Sequence, residues 1–304
     1  MDLHTPFYWK REVFAYTSGL LSALPGGLMA PRCWGVTKRS EHEYWLWLED
    51  LVDDDRAWPV ARYATVARHL GVFGGAYLAA RPLPQMPWLS RHLLRGWVAT
   101  SAGMIELLQQ VGANDDPLLR RWFPAPVVVA VLRLWEHKER VFTRLDSMPQ
   151  TLCHHDVWRN NLFVRQVADG AAQTVAIDWE CVGIGAPGED AGNLVGVSLL
   201  NFDVDVADAP LLAETVLAAY LQGQHDAGWC GDPDAIMVAF DAAAVLRSIF
   251  SAAGWPVAIM RNSSRYVDET ERRWERPIEQ IFEHWAGVTA FLVQRAEQAF
   301  RHSF

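Results

Sequence analysis

The chain has 304 residues, with 27 Lys and Arg against 36 Asp and Glu, a formal net charge of −9, and 51% hydrophobic residues. This excludes a disordered chain and predicts one large domain or two smaller lobes with a sizeable core. An acidic chain has no surplus of cations to displace counterions from nucleic acid or an anionic bilayer, so neither partner is expected. Cys33, Cys153, Cys181 and Cys230 form no CxxC pair, the N-terminus lacks the basic start and apolar run of a signal peptide, and no run reaches the ~18 apolar residues of a membrane span. A cytoplasmic protein is therefore expected.

In chain order, Trp9 to about Leu24 is predicted to be a helix stopped by Pro25-Gly26-Gly27. Ala30–Val36 and Tyr44–Leu48 are predicted strands, followed by the polar run Glu49–Arg56. Tyr63, Val66, Leu70, Phe73 and Tyr77 fall on one face of a helix that Pro59 begins. Trp88–Val111 and Val127–Leu145 continue the helical pattern, with Pro117, Pro124 and Pro126 between them. Short β segments are expected in Leu152–Arg165 and Thr174–Trp179, then a Gly/Pro-rich stretch from Gly183 to Gly188. Asp208 before Pro210 and Asp232 before Pro233 signal helix starts for segments near 209–226 and 233–252, and a last helix is predicted from about Thr270 towards Phe300.

The densest polar stretch is Cys153-His154-His155-Asp156-Val157-Trp158-Arg159-Asn160-Asn161, followed by the apolar Leu162-Phe163-Val164. Its spacing is H-x-D-x-x-x-x-N. In phosphoryl transfer such an Asp takes or orients the acceptor hydroxyl's proton, and the Asn five residues on gives an oxygen to a metal ion on the phosphates. Val175, Ile177 and Trp179 alternate like a half-buried strand, which would project Asp178 into the site as a second metal ligand. Asp190 lies at a predicted helix start in Gly188-Glu189-Asp190.

Together these pieces resemble the aminoglycoside phosphotransferase and choline kinase family of the protein-kinase-like fold, over most of the chain from Trp9 to about Trp255. HHDVWRNNLF resembles its catalytic loop, AIDWE its metal-binding strand and GAPGED the region that follows. The resemblance implies Asp156 as catalytic base, Asn161 and Asp178 as Mg2+ ligands, His154 and Asp190 as buried supports of the catalytic loop, and ATP as phosphoryl donor. WLWLEDL resembles the strand and hinge that meet adenine around Glu49, Asp50 and Leu51, and Glu12 resembles the helix Glu that pairs with a nucleotide-binding lysine. The implied glycine-bearing hairpin and strand lysine should precede Trp9, where only eight residues stand; Lys10, Lys38 and Lys138 are the only lysines and none follows an apolar strand near a Gly-rich turn. The sequence is thus expected to be either a fragment or a protein without a complete nucleotide lobe.

Two other patterns compete. Gly183-Ile184-Gly185-Ala186-Pro187-Gly188 spells G-x-G-x-x-G, but its strand carries Asp178 and Glu180 and no further βαβ units follow, so a turn is expected rather than a dinucleotide site. Cys153, His154, His155 and Asp156 suggest a metal cluster, yet adjacent residues on an extended segment point to opposite faces, and His155 and Trp158 are expected to face substrate or nucleotide.

From Gln166 to Leu246 there is no Lys or Arg but there are thirteen acids, from Asp169 to Asp241. They are either solvated helix faces and caps or a negative acceptor site that favours amine-bearing molecules. The expected fold is α+β and protein-kinase-like, with a partial nucleotide lobe and hinge over 1–56 and a largely helical lobe over 57–304. The expected reaction moves the ATP γ-phosphoryl to a hydroxyl of a small, cationic acceptor; the alternative is a catalytically impaired kinase-like binding protein.

Overall fold

The computed structural model describes residues 3, 5–53, 57–110, 117–166, 170–262 and 264–300. The predicted boundary at 56/57, the helix end at Val111 and the acid Asp169 lie outside the described residues. Helix α1 (Arg11–Thr17) is shorter than its apolar pattern suggests, because Gly19 turns into the left-handed region at φ 83° and the chain continues as one 3-10 turn, Leu20–Ala23. Strand β1 (Leu28–Met29) leads into a hairpin of β2 (Cys33–Ser40) and β3 (Glu43–Leu48). Helix α2 (Val60–Ala79) begins after Pro59 as expected and buries Tyr63, Val66, Leu70 and Phe73.

The segment expected as one helix over Trp88–Val111 is instead β4 (Ser90–Arg91), α3 (Leu93–Ala99) and α4 (Ala102–Gln109). The Ser90 hydroxyl and N–H donate to the carbonyls of Cys181 and Val182, and that pairing holds the segment extended where periodicity alone favoured a helix. Helices α5 (Pro117–Trp122) and α6 (Ala125–Asp146) follow, then β5 (Thr151–Cys153), β6 (Leu162–Gln166), β7 (Ala172–Ala176) and β8 (Gly183–Gly185). The remainder is helical: α7 (Glu189–Leu200), α8 (Ala209–Asp226), α9 (Pro233–Arg261), α10 (Ser264–Trp274) and α11 (Ile278–Ala299). The single last helix expected from Thr270 is two helices, since Glu275 adopts a left-handed φ of 52° and Pro277 starts a new one. Asp232 caps α9 through the Asp234 N–H, whereas before α8 the capping carboxylate is Asp205, on the Ala207 N–H, and not Asp208.

Three small sheets organise the site end of the molecule, in orders β1-β7-β6, β2-β3 and β4-β8-β5. β1 pairs in parallel with β7, so the N-terminal segment is part of the sheet that carries the loop around Asp156. Arg11 reinforces this: its guanidinium is fully buried and donates to the carbonyls of Thr5, Pro6, Trp88 and Glu180 at 2.7–2.8 Å. The helical core packs with backbones close together. A Cβ on Gly71 would lie 2.2 Å from the Tyr220 carbonyl oxygen, across α2 and α8, and one on Gly192 would lie 2.1 Å from that of Phe240, across α7 and α9.

Candidate active site

β6 and β7 bring the two halves of the polar constellation together. Their antiparallel register pairs Leu162 with Ala176 and Phe163 with Val175, and the ladder is extended by the Ile177 N–H donating to the Asn161 carbonyl. The apolar run after Asn161 is therefore the strand that sets Asn161 beside Ile177 and Asp178. The strand itself stops at Ala176, earlier than the expected alternation. Trp179 is fully buried, donates its indole N–H to the Ala176 carbonyl and sets its ring 4.5 Å from that of His154 at a tilt of 57°, and the chain turns at Asp178 to seat it. Asp178 accordingly has φ 60°, ψ 62°; a left-handed kink, rather than strand pleat, aims its carboxylate.

The loop after β5 is fixed by buried partners. Asp190, at the start of α7, accepts the N–H groups of His154 (2.9 Å) and His155 (2.7 Å). His154 lies between Ile177 and Asp156: its Nε2 is 2.9 Å from the Ile177 carbonyl, and its Nδ1 accepts the Asp156 N–H at 3.2 Å. That pattern requires the neutral Nε2–H tautomer, and burial lowers the His154 pKa to about 4. Asn161 donates its Nδ2 to both the carbonyl (2.9 Å) and the Oδ2 (2.8 Å) of Asp156, which leaves Asn161 Oδ1 as the free oxygen. The other carboxylate oxygen of Asp156, Oδ1, accepts from Arg247 Nη2 at 2.5 Å. Sequence reasoning missed Arg247, although a solitary cation within the apolar run Ala242–Met260 was visible as an anomaly.

Glu12 from α1, Asp178 and Glu180 converge on the same place. Burial first, then the charge of Asp178, raises Glu12 to about 7. Burial, then Glu180 and Asp156, raises Asp178 to about 6. Hard oxygen ligands crowded against their own repulsion are the donor set that suits a divalent cation such as Mg2+. No lysine among the described residues reaches Glu12: Lys10 lies over the Trp9 and Tyr44 rings, Lys38 pairs with Glu41 and Lys138 lies over Trp135. Glu49, Asp50 and Leu51 follow β3. Glu49 is committed internally, its carboxylate accepting from the Arg32 N–H (3.0 Å) and Arg165 Nη1 (2.7 Å), which together hold its pKa below the usual carboxylate value. Its backbone N–H also donates to the Arg32 carbonyl.

His155 is not open to a ligand as expected; it is 5% exposed, in a left-handed conformation, with its Nδ1 3.5 Å from Glu189 Oε2. Of the four residues from Cys153 to Asp156, Cys153 and His155, two residues apart, do come together, with Asp190, while His154 and Asp156 are not in that group. Both oxygens of Asp190 already hold backbone N–H groups and burial pushes the Cys153 thiol up, so this trio reads as packing around the loop rather than a metal site. The G-x-G-x-x-G run is β8 and a turn, in which Gly188 (φ 108°) opens α7 against the Ile236 carbonyl.

Comparison with curated protein sequences finds no match. Among solved structures, a choline/ethanolamine kinase family protein from Mesorhizobium loti is similar with TM-score 0.42 and 13% identity, over 92% of this chain and 84% of that one. The amicoumacin kinase hAmiN in complex with AMP-PNP, Ca2+ and Ami gives TM-score 0.49 and 12% identity, over 92% of this chain and 78% of that one. The sequence model of the phosphotransferase enzyme family, APH, matches residues 61–230, a stretch that holds Asp156, Asn161, Asp178 and Asp190. With residues 61–230, more than half of its 304, matched by that model, the chain belongs to the phosphotransferase enzyme family.

Proposed function

We propose that the protein transfers the γ-phosphoryl group of ATP to a hydroxyl of a small molecule, in the cytoplasm, with Asp156 as the residue that orients and deprotonates the acceptor. The hydroxyl oxygen forms a bond to the γ-phosphorus, the bond from that phosphorus to the bridging oxygen of ADP breaks, and the hydroxyl proton passes to Asp156. Asn161 Oδ1 and Asp178 would hold Mg2+, which supplies charge neutralisation on the phosphates. His154 and Asp190 keep the loop in shape through the hydrogen bonds already described, and the strand exit Glu49–Leu51, with Asp50, offers the adenine edge.

The observation that carries this reading is the Asn161 amide. It spends both N–H bonds on Asp156 and so turns its oxygen towards a ligand, an arrangement a solvated loop Asn has no need of. The acidic run between Gln166 and Leu246 favours a cationic acceptor such as an aminoglycoside or an amino alcohol, whose KM should rise with ionic strength. An ADP-release screen over aminoglycosides, choline-like amines and amino alcohols tests the reaction. Asp156→Ala is expected to lower turnover by about 10²–10⁴-fold; wild-type turnover in that variant would remove Asp156 from the mechanism.

The unlysined Glu12 favours a second reading, a kinase-like protein that binds the acceptor without competent ATP binding. A Mg2+-dependent rise in melting temperature with ATP argues against it, and no shift at millimolar ATP selects it.

A further inference from the structure

Helix α9 is apolar enough to cross a membrane by length and composition, yet 78% of its most apolar window is buried in the protein core. In the middle of it stands Arg247, 7% exposed, with its guanidinium 3.2 Å from the centre of the Trp97 ring and Nη2 on Asp156. Asp156 is its one carboxylate partner among the described residues. Stability does not explain such a residue, because a buried ion pair is usually no better than an apolar side chain of similar volume. Nor does Asp156 need the pair for solvation, since its side chain keeps 17% of its surface exposed. What the contact does is geometric. Arg247 takes Oδ1 and Asn161 takes Oδ2, so the plane of the carboxylate is clamped from both ends. Trp97 of α3 in turn fixes the plane of the guanidinium.

We propose that Arg247, seated on Trp97, is a positioning residue for phosphoryl transfer: it fixes the Asp156 carboxylate so that its remaining lone pairs meet the acceptor hydroxyl. The inference rests on the reading of Asp156 given above. It is tested with Arg247→Met, which keeps volume and removes charge, beside Arg247→Lys, Asp156→Asn and the double variant. ADP release from Mg–ATP is followed with choline, ethanolamine and kanamycin as probes.

Arg247→Met is expected to melt close to wild type, to lose about 100-fold in kcat with KM for ATP unchanged, and to be no slower in the Asp156→Asn background than Asp156→Asn alone. Arg247→Lys should recover part of the loss. Trp97→Leu, which frees the guanidinium without leaving a charge unpaired, is the second variant and should show the same fall in kcat. A wild-type kcat in Arg247→Met or Trp97→Leu, in a protein that Asp156→Asn silences, overturns this inference alone. Wild-type protein that releases no ADP with any probe overturns the kinase reading and this inference with it. A loss that follows only the folded fraction, with no recovery by Lys, assigns Arg247 to the fold and also overturns it.

Discussion

His154 shows how a single buried imidazole can define a loop. It accepts from Asp156 and donates to Ile177 in one neutral tautomer, and protonation would replace the accepting Nδ1 by a donor. The unfolded chain protonates this residue near 6.5 while the folded protein resists until about 4. Its contribution to stability is therefore fully present above pH 6.5 and is lost as pH falls towards 4, by about 1.4 kcal/mol per pH unit within that window. In His154→Asn the unfolded state gains no such proton, so the gap in melting temperature between wild type and variant should narrow from pH 7 to pH 4.5. A constant gap over that range would show that His154 is charged in the fold. The H-x-D-x-x-x-x-N spacing made this residue visible in the sequence. Arg247 was invisible as a site residue because 91 positions separate it from Asp156 and only tertiary packing joins them.

Helices α7 and α9 carry Asp190 and Arg247, and the geometry at Asp156 depends on how closely they cross. Gly192 and Gly196 allow that approach, with virtual Cβ atoms 2.1 and 2.5 Å from the carbonyl oxygens of Phe240 and Ala244. Gly192→Ala is expected to destabilise by about 1–3 kcal/mol through overpacking and to lower turnover as α9 is displaced. Gly103→Ala, within α4 and with open space around its Cβ, should instead be stabilising by about 0.5–1 kcal/mol. Urea melts of the two variants compare them directly; equal effects would mean that the α7–α9 crossing is not tight. At this scale the sequence was legible where one local signal dominated, as with Pro59 before α2 or Asp232 before α9. It was misleading where distant partners decided, as at β4, which is strand only because β8 accepts it, and at Asp178, where seating Trp179 bends the chain.

Over the whole molecule, the described acids between Gln166 and Leu246 lie mostly on exposed helix faces and caps, with Glu189, Asp190 and Asp241 buried. Asp226 pairs with Arg68, Asp241 with Arg295, Asp205 and Asp232 cap helices, and Asp190 holds the loop. Counting charges along the sequence located the block but could not show these partners. The N-terminal segment is joined to the rest by Arg11, whose loss would leave the carbonyls of Leu3, Thr5, Pro6, Trp88 and Glu180 without their shared donor. Arg11→Ala should lower stability by about 2–4 kcal/mol, read as a lower urea midpoint with an unchanged slope. A change in slope would instead mean that the segment detaches before global unfolding. The kink at Asp178 has a further consequence for how substitutions there sort themselves. Asn and Gly, the residues that most readily adopt its left-handed backbone, both lack a carboxylate, while Glu keeps the charge but fits the kink poorly. In a saturation library this position should divide cleanly into well-folded, silent variants and strained, poorly accumulating ones, with no replacement that preserves both backbone and charge.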